Sequence, residues 1–306
     1  MPTLAVVTTF PPNRWTTYAK RMIHSHVNYW PNDVKLYAYY EGTKPDFEHD
    51  KVQFVNIEEA NPELIAFKSR HRDDPVANGE SREIPGGVRR DPNAGKNDRG
   101  KGSYLWAAVR FAHKTFAVDH GLKTIDADYV LWLDADTYTF RKINKDFVTG
   151  LLPKNKLVNF LGRGDKYPEC GWVCYNKKHP KIEEFMQYWT SLYIRDTIFE
   201  ELEWHDSYLF WQCVKRIAPN DGVDIGKGAG AKGHHVFINS VLGAYIDHMK
   251  GKRKVKGRSS KSDLRWDRNE DYWKNVENYD PFDGVKFDPK QADDIISKTD
   301  KGKQGN

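Results

Sequence analysis

The stretch VLWLDADTYTF, Val130 to Phe140, decides how the rest of the chain is read. Val130 to Leu133 are aliphatic or aromatic, as a buried strand requires, and they run straight into two aspartates one residue apart, Asp134 and Asp136. Such a run ends either in an ordinary polar turn or in a metal site. Where the chain leaves the strand, both carboxylates reach one cation, directly or through water. Hard oxygen ligands with open positions suit Mg²⁺ or Mn²⁺, ions that also bind phosphate oxygens.

Around this stretch, strand-like and helix-like segments alternate. Leu4 to Phe10 reads as a first, fully buried strand; Asn13 to Trp30 has helical spacing and stops at Pro31. VKLYAYYEG and VQFVNI are further strands. Ser103 to His120 reads as an amphipathic helix with Ser103 as N-cap and Gly121 closing it, leading into the strand Tyr129 to Leu133. KLVNFLG and GWVCYN follow as short strands, Pro180 opens a helix, and His205 to Ile217 is another, with Asp206 near its start. The apolar run from Gly233 to Met249 reads as a strand plus a short helix. The alternation predicts a single α/β domain with a mostly parallel central sheet and helices on both faces. Ligands of such sheets bind beyond the carboxyl ends of strands. Three segments are candidates: TTFPPN, with Thr8, Thr9 and Phe10; Asp134-x-Asp136; and the loop after VCYN.

The 306 residues are 39% hydrophobic and 13% aromatic, enough for a sizeable core and too much for a disordered chain. Three cysteines, Cys170, Cys174 and Cys213, make neither an even disulfide framework nor a zinc pattern, and read as reduced thiols. LAVVTTF is too short for a signal sequence and no run matches a membrane span, so a cytoplasmic protein is expected (host cytoplasm if viral), with no membrane contact and no protein partner predicted. The net charge of +5 is unevenly spread. The loop 68–101 is rich in Gly, Pro, Arg and Asp, and the segment 250–261 holds seven Lys or Arg and no acid. Each is either a solvated surface or a polyanion contact.

Downstream, YIDHMKGKRK supplies His248, Gly251 and Lys254. Either this is a surface histidine beside a basic tail, or the histidine completes the coordination of a manganese-like ion, the glycine lets backbone approach a phosphate and the lysine neutralises it. In that order, YVLWLDADTYTF, ECGWVCYN and HMKGKRK resemble the metal-dependent GT-A glycosyltransferases, in particular the glycogenin and lipopolysaccharide sugar-transferase group. The resemblance implies a GT-A (Rossmann-like) domain over residues 1–254, including loop 68–101, with a basic and polar extension at 255–306. It implies Asp134, Asp136 and His248 as metal ligands, with Asp134 also touching the donor diphosphate. Gly251 and Lys254 would contact that diphosphate, and Thr8, Thr9 and Phe10 the nucleotide. The sugar-strand motif falls on Glu169, Gly171 and Asn176. Three departures stand out: Glu169 replaces a frequent Asn, Asp206-Ser207-Tyr208 only partly echoes a D-Q-x-x-x-N segment, and no Trp follows Lys254.

Asp206 is either a helix N-cap or a general base or sugar-orienting group, and with Glu169 it is the catalytic candidate. Arg110 and Lys114, one helical turn apart, either contact the donor, Arg110 foremost, or form an exposed basic face. The resemblance implies a hexosyl- or pentosyltransferase using Mn²⁺ (or Mg²⁺) and a nucleotide-sugar donor, a UDP-sugar in expectation, with a lean towards retention of configuration. For the acceptor, the basic segments 68–101 and 250–261 suggest DNA, a hydroxymethylated pyrimidine flipped from the stack, as for viral DNA-modifying glycosyltransferases. Protein or oligosaccharide acceptors are the alternative. Outside the class stand a metal-dependent nucleotidyltransferase and a non-catalytic nucleic-acid-binding module.

Overall fold

The computed structural model describes residues 2–80, 104–164, 166–230, 234–251 and 253–274. Expectations placed on 81–103 and on 275–306, most of the basic loop and of the C-terminal extension, lie outside the described residues. In chain order the elements are β1 (Leu4–Phe10), α1 (Lys20–Tyr29), β2 (Lys35–Tyr40), β3 (Val52–Asn56), α2 (Ile57–Ala60), α3 (Pro62–Arg70), α4 (Ala108–Thr124), β4 (Tyr129–Leu133), β5 (Thr137–Thr139), α5 (Lys145–Gly150), β6 (Val158–Arg163), β7 (Lys166–Asn176), α6 (Ile182–Ile194), α7 (Asp206–Ile217), β8 (Gly222–Asp224), α8 (Val236–Asn239), β9 (Ile246–His248), α9 (Arg253–Lys256) and α10 (Asp271–Lys274).

Seven strands form one sheet in the order β3-β2-β1-β4-β7-β6-β8. All run the same way except β7, which is antiparallel to both β4 and β6. The fold is therefore α/β with a mostly parallel central sheet, as the alternation predicts. β4 shows the layering. Val130 and Trp132 face a core shared with Phe67 of α3, Phe116 of α4, Trp189 of α6 and Phe210 of α7. Tyr129, Leu131 and Leu133 face the opposite core, with Met22 and Ile23 of α1 and Phe237 of α8. A strand covered on both faces has no polar side, which is why VLWL is apolar throughout. In α6 the buried Ile182, Phe185, Met186, Trp189 and Tyr193 recur at helical spacing.

Four expectations need correction. The helix after β1 opens with a 3₁₀ turn at Pro12–Arg14 and a widened turn at Trp15–Ala19, and turns regular only at Lys20. The helix before β4 begins at Ala108, after a 3₁₀ turn at Tyr104–Trp106, rather than directly after position 103; the Ser103 cap lies outside the described residues. Gly121 does not close that helix, which continues to Thr124; a Cβ at Gly121 would stand 3.0 Å from Val7 Cγ2, so the glycine lets α4 settle on β1. Most consequential is β7. Asn176 lies opposite Tyr129, and Trp172 opposite Leu133. The loop after VCYN therefore sits at the far edge of the sheet from Asp134, and the middle of β7, Glu169 to Gly171, borders the exit of β4 instead.

The run 233–249 holds both predicted elements, but the helix precedes the strand. β9 pairs antiparallel with β5 in a separate two-stranded ribbon, Thr137 opposite His248 and Thr139 opposite Ile246. Residues up to Trp273 pack onto this ribbon. Tyr272 stacks on Phe140 with centroids 4.0 Å apart and donates from its hydroxyl to Asp247 Oδ2 at 2.7 Å; Trp273 donates to the Gly243 carbonyl at 2.8 Å. Among the described residues, no helix is long and apolar enough to cross a membrane.

Candidate metal centre

Where β4 ends, the Asp134 N–H donates to the Gly171 carbonyl at 2.9 Å. The Asp134 carbonyl accepts from the Thr137 N–H at 3.1 Å and its hydroxyl at 2.8 Å, so the DADT segment is a tight turn between β4 and β5. The ribbon register then carries His248 to the same place. Asp134, Asp136 and His248 each present a ligand atom, all within 4.8 Å of one another. His248 Nε2 lies 3.1 Å from Asp136 Oδ1 and 3.5 Å from Asp134 Oδ2. Asp136 and His248 are buried.

A ring of partners fixes each ligand. The Trp132 indole N–H donates to Asp134 Oδ1 at 2.7 Å, two residues back on the strand. Lys114 of α4 reaches through the layer: its Nζ is 3.5 Å from the same Asp134 oxygen and 2.6 Å from Asp206 Oδ2, and it donates to the Cys170 carbonyl. Lys254 Nζ is 2.7 Å from Asp136 Oδ2 and lies over the Tyr18 ring. Glu169 stands behind His248, with Oε2 3.4 Å from His248 Nδ1. Its other oxygen accepts from the Gly171 N–H at 2.7 Å and is 3.0 Å from Lys250 Nζ. A carboxylate on the rear nitrogen of an imidazole orients the front nitrogen as a ligand. Gly171 is required for this contact, because a Cβ there would come within 2.4 Å of His248 Cε1.

The electrostatics follow from packing these charges close together, with Lys114, Asp136, Glu169 and His248 buried and Asp134, Asp206 and Lys254 partly exposed. Burial opposes ionisation of Asp136, but Lys254 and His248 outweigh it and hold the carboxyl below its usual range. Burial raises Asp134, more than Lys114 and His248 offset. Burial also works against a charged His248, yet Glu169 and Asp136 push it up to about 9. Asp206 is desolvated too, but Lys114 and His205 hold it well below the carboxylate range. Two carboxylates and one imidazole nitrogen converging on one point, with a third carboxylate behind the imidazole, are the donor set a Mn²⁺- or Mg²⁺-type ion takes. The residues present fit such an ion.

The other predicted residues fall into two groups. Gly251, at φ +57, makes the turn that returns Lys254 to Asp136. Arg110 is exposed on α4, within electrostatic reach of Tyr18 and Lys254. β1 runs parallel beside β4, Val7 opposite Trp132, so Thr8, Thr9 and Phe10, still paired with β2, reach the same end of the sheet as Asp134. Thr9 spends its hydroxyl on the Tyr39 carbonyl at 3.0 Å, Phe10 packs on Trp15, and the buried Thr8 hydroxyl has no partner among the described residues. Glu169 and Asp206 are both close, but Glu169 faces His248 rather than the open side. The sequence did not single out Trp132, Tyr18 or Lys250. Trp132 carries a readable signal, since residues two apart on a strand share a face.

No family model matches the sequence, and no curated protein does. Among solved structures the chain is similar to a glycosyltransferase involved in glycosylation of the major capsid of PBCV-1, at 14% identity and TM-score 0.41, over 83% of this chain and 98% of that one. It is also similar to mouse xyloside xylosyltransferase 1, at 11% identity and TM-score 0.41, over 72% and 84% of the two chains. A third, the WbbM bifunctional glycosyltransferase, has 11% identity and TM-score 0.43, over 74% of this chain and 39% of that one. At these values the likeness assigns no role to any residue here.

Proposed function

We propose that this protein is a metal-dependent glycosyltransferase that moves a sugar from a nucleoside-diphosphate donor, a uridine diphosphate sugar in expectation, to a hydroxyl acceptor. The observation that carries the proposal is the convergence of Asp134, Asp136 and His248 with Lys254 already on Asp136. Asp134, Asp136 and His248 would hold Mn²⁺ (or Mg²⁺), whose chemistry there is charge neutralisation of a departing diphosphate. Lys254 is placed to bind the same phosphate oxygens, and Arg110 approaches from α4. Lys114 and His205 hold Asp206 as a carboxylate, well below its usual range, which makes it a weak proton acceptor. Its oxygens suit accepting hydrogen bonds from a sugar hydroxyl, a positioning role. Glu169 acts through His248.

The basic segment 250–261 is partly committed. Lys250, Arg253 and Lys254 pair with Glu169, Asp263 and Asp136, and Arg258 donates to the Tyr272 carbonyl. A polyanionic acceptor such as DNA would meet Lys256 and Lys261, which are exposed, and loop 68–101. Calorimetric titration of UDP with and without Mn²⁺, repeated on Asp136→Ala, tests the donor reading. Binding that requires Mn²⁺ and weakens by about 100-fold or more in the variant is expected, since even residues behind a metal ligand cost about 10–100-fold. UDP binding indifferent to both would overturn it.

A further inference from the structure

Beside Asp206, away from Asp134, lies a group of side chains that the donor site does not use. Residues 202–204 are fastened to 104–106: the Trp204 N–H donates to the Leu105 carbonyl at 2.7 Å and the Trp106 indole to the Leu202 carbonyl at 3.4 Å. This holds His205, 3% exposed, in a nest of rings, with Tyr167 at 4.9 Å, Tyr104 at 5.6 Å and Tyr208 at 6.4 Å between centroids. Glu203 accepts from His205 Nε2 at 2.7 Å and also bonds Tyr167. The Arg163 guanidinium lies 5.2 Å from the Tyr167 ring centre. Tyr104 is 58% exposed, although its ring adjoins a buried histidine. Glu203, Arg163, Lys250 and Asp206 are its electrostatic neighbours, so Tyr104 stands on the Asp206 side of the site.

Resting on the donor reading above, we propose that Tyr104, Tyr167 and Glu203 form the acceptor subsite, and that its occupant is a neutral saccharide. An aromatic face offers apolar contact to the C–H side of a sugar ring, while a fixed carboxylate accepts from its hydroxyls. Bases also stack on tyrosine, but a nucleic acid brings phosphates, and the two cations near Tyr104 are already committed, Arg163 to the Tyr167 and Pro168 carbonyls and Lys250 to Glu169, which leaves Glu203 facing the occupant. Glu203 stands three residues before Asp206 and is linked to it through His205, whose Nδ1 is 3.9 Å from Asp206 Oδ1, so an acceptor hydroxyl there would lie near the group that orients the donor sugar.

Saturation-transfer NMR with four p-nitrophenyl glycosides (glucoside, galactoside, mannoside and xyloside), in the presence of Mn²⁺ and UDP, provides the test. At least one glycoside is expected to show saturation transfer. Its affinity should fall about tenfold or more in Tyr104→Ala, as loss of one stacking ring predicts, and also in Glu203→Gln, while the UDP titration stays unchanged in Tyr104→Ala. Saturation of none of the four, saturation undiminished in both variants, or displacement of the glycoside by a single-stranded oligonucleotide whose binding needs Tyr104 would each overturn the subsite. Failure of the UDP titration with glycoside binding intact would count against the donor reading alone.

Discussion

Two charged clusters in this molecule look alike in composition and differ in purpose. On the surface, Arg70 of α3 forks onto Asp196 at 2.9 and 3.0 Å, and His71 joins the same carboxylate at 2.9 Å, tying α3 to the end of α6. At the exit of β4, Asp134, Asp136, Glu169 and Asp206 meet Lys114, His248 and Lys254; Lys114, Asp136, Glu169 and His248 are buried, and the other three are only partly exposed. Burying so many charges costs desolvation that mutual attraction roughly offsets, so such a cluster is weak evidence for stability. Its location is better explained by a ligand. The surface cluster joins α3 to the end of α6 and contributes little to stability.

Breaking one pair in each cluster separates the two cases most sharply. Lys114→Met strands Asp134 and Asp206, and should cost about 3–5 kcal/mol in urea denaturation. Adding Asp206→Leu should recover much of that loss without restoring donor binding. If Lys114→Met proved neutral, the buried cluster would be no more coupled than the surface one. Glu169→Gln should weaken Mn²⁺ binding by about 10–100-fold in calorimetry, with turnover returning at saturating metal, because the ligand atoms remain and only the orientation of His248 is lost.

His26 of α1 offers a buried group that is not paired with an acid. It accepts no opposing charge and hydrogen-bonds the Val34 carbonyl at 3.0 Å; burial lowers it to about 3. The folded state thus binds this proton less readily than the unfolded state. Stability should therefore fall as pH drops from about 6.5 towards 3, by about 1.4 kcal/mol per unit, and His26→Gln should flatten the slope in pH-dependent melts. Smallest of all, Asp196→Ala should cost less than about 1 kcal/mol, a loss that shrinks in high salt, and leave UDP binding untouched.

The bounds of β1 and β4 were legible because strands buried on both faces are continuous apolar runs between polar breaks. The triad of Asp134, Asp136 and His248 was legible through the resemblance of Asp134-x-Asp136 and His248-x-x-Gly251-x-x-Lys254, taken together, to the motifs of metal-dependent glycosyltransferases; either spacing alone also fits a plain turn or surface. The direction of β7 was not, since an apolar run is the same read either way. Gly164-Asp165, between two strand-like runs, is a hairpin signal that points to antiparallel pairing. Without that direction, Glu169 reads as a group facing the sugar, whereas it backs His248. Lys114 was legible as a cation on a helix but not as a bridge, because which face of α4 meets the sheet is decided by packing on Val7 and Trp132.

The β5–β9 ribbon has a consequence for how the chain comes off the ribosome. Asp136 and His248 are separated by 112 positions. A chain released residue by residue presents the two aspartates long before the histidine emerges, and a slip of one residue in the ribbon would turn His248 to the other side. Metal capture at this triad would then have to wait until His248 has emerged and the ribbon has paired. By mass action, an ion at 100 times its dissociation constant would favour that finished state by about 2.7 kcal/mol, so the cofactor would also act as a late check on assembly.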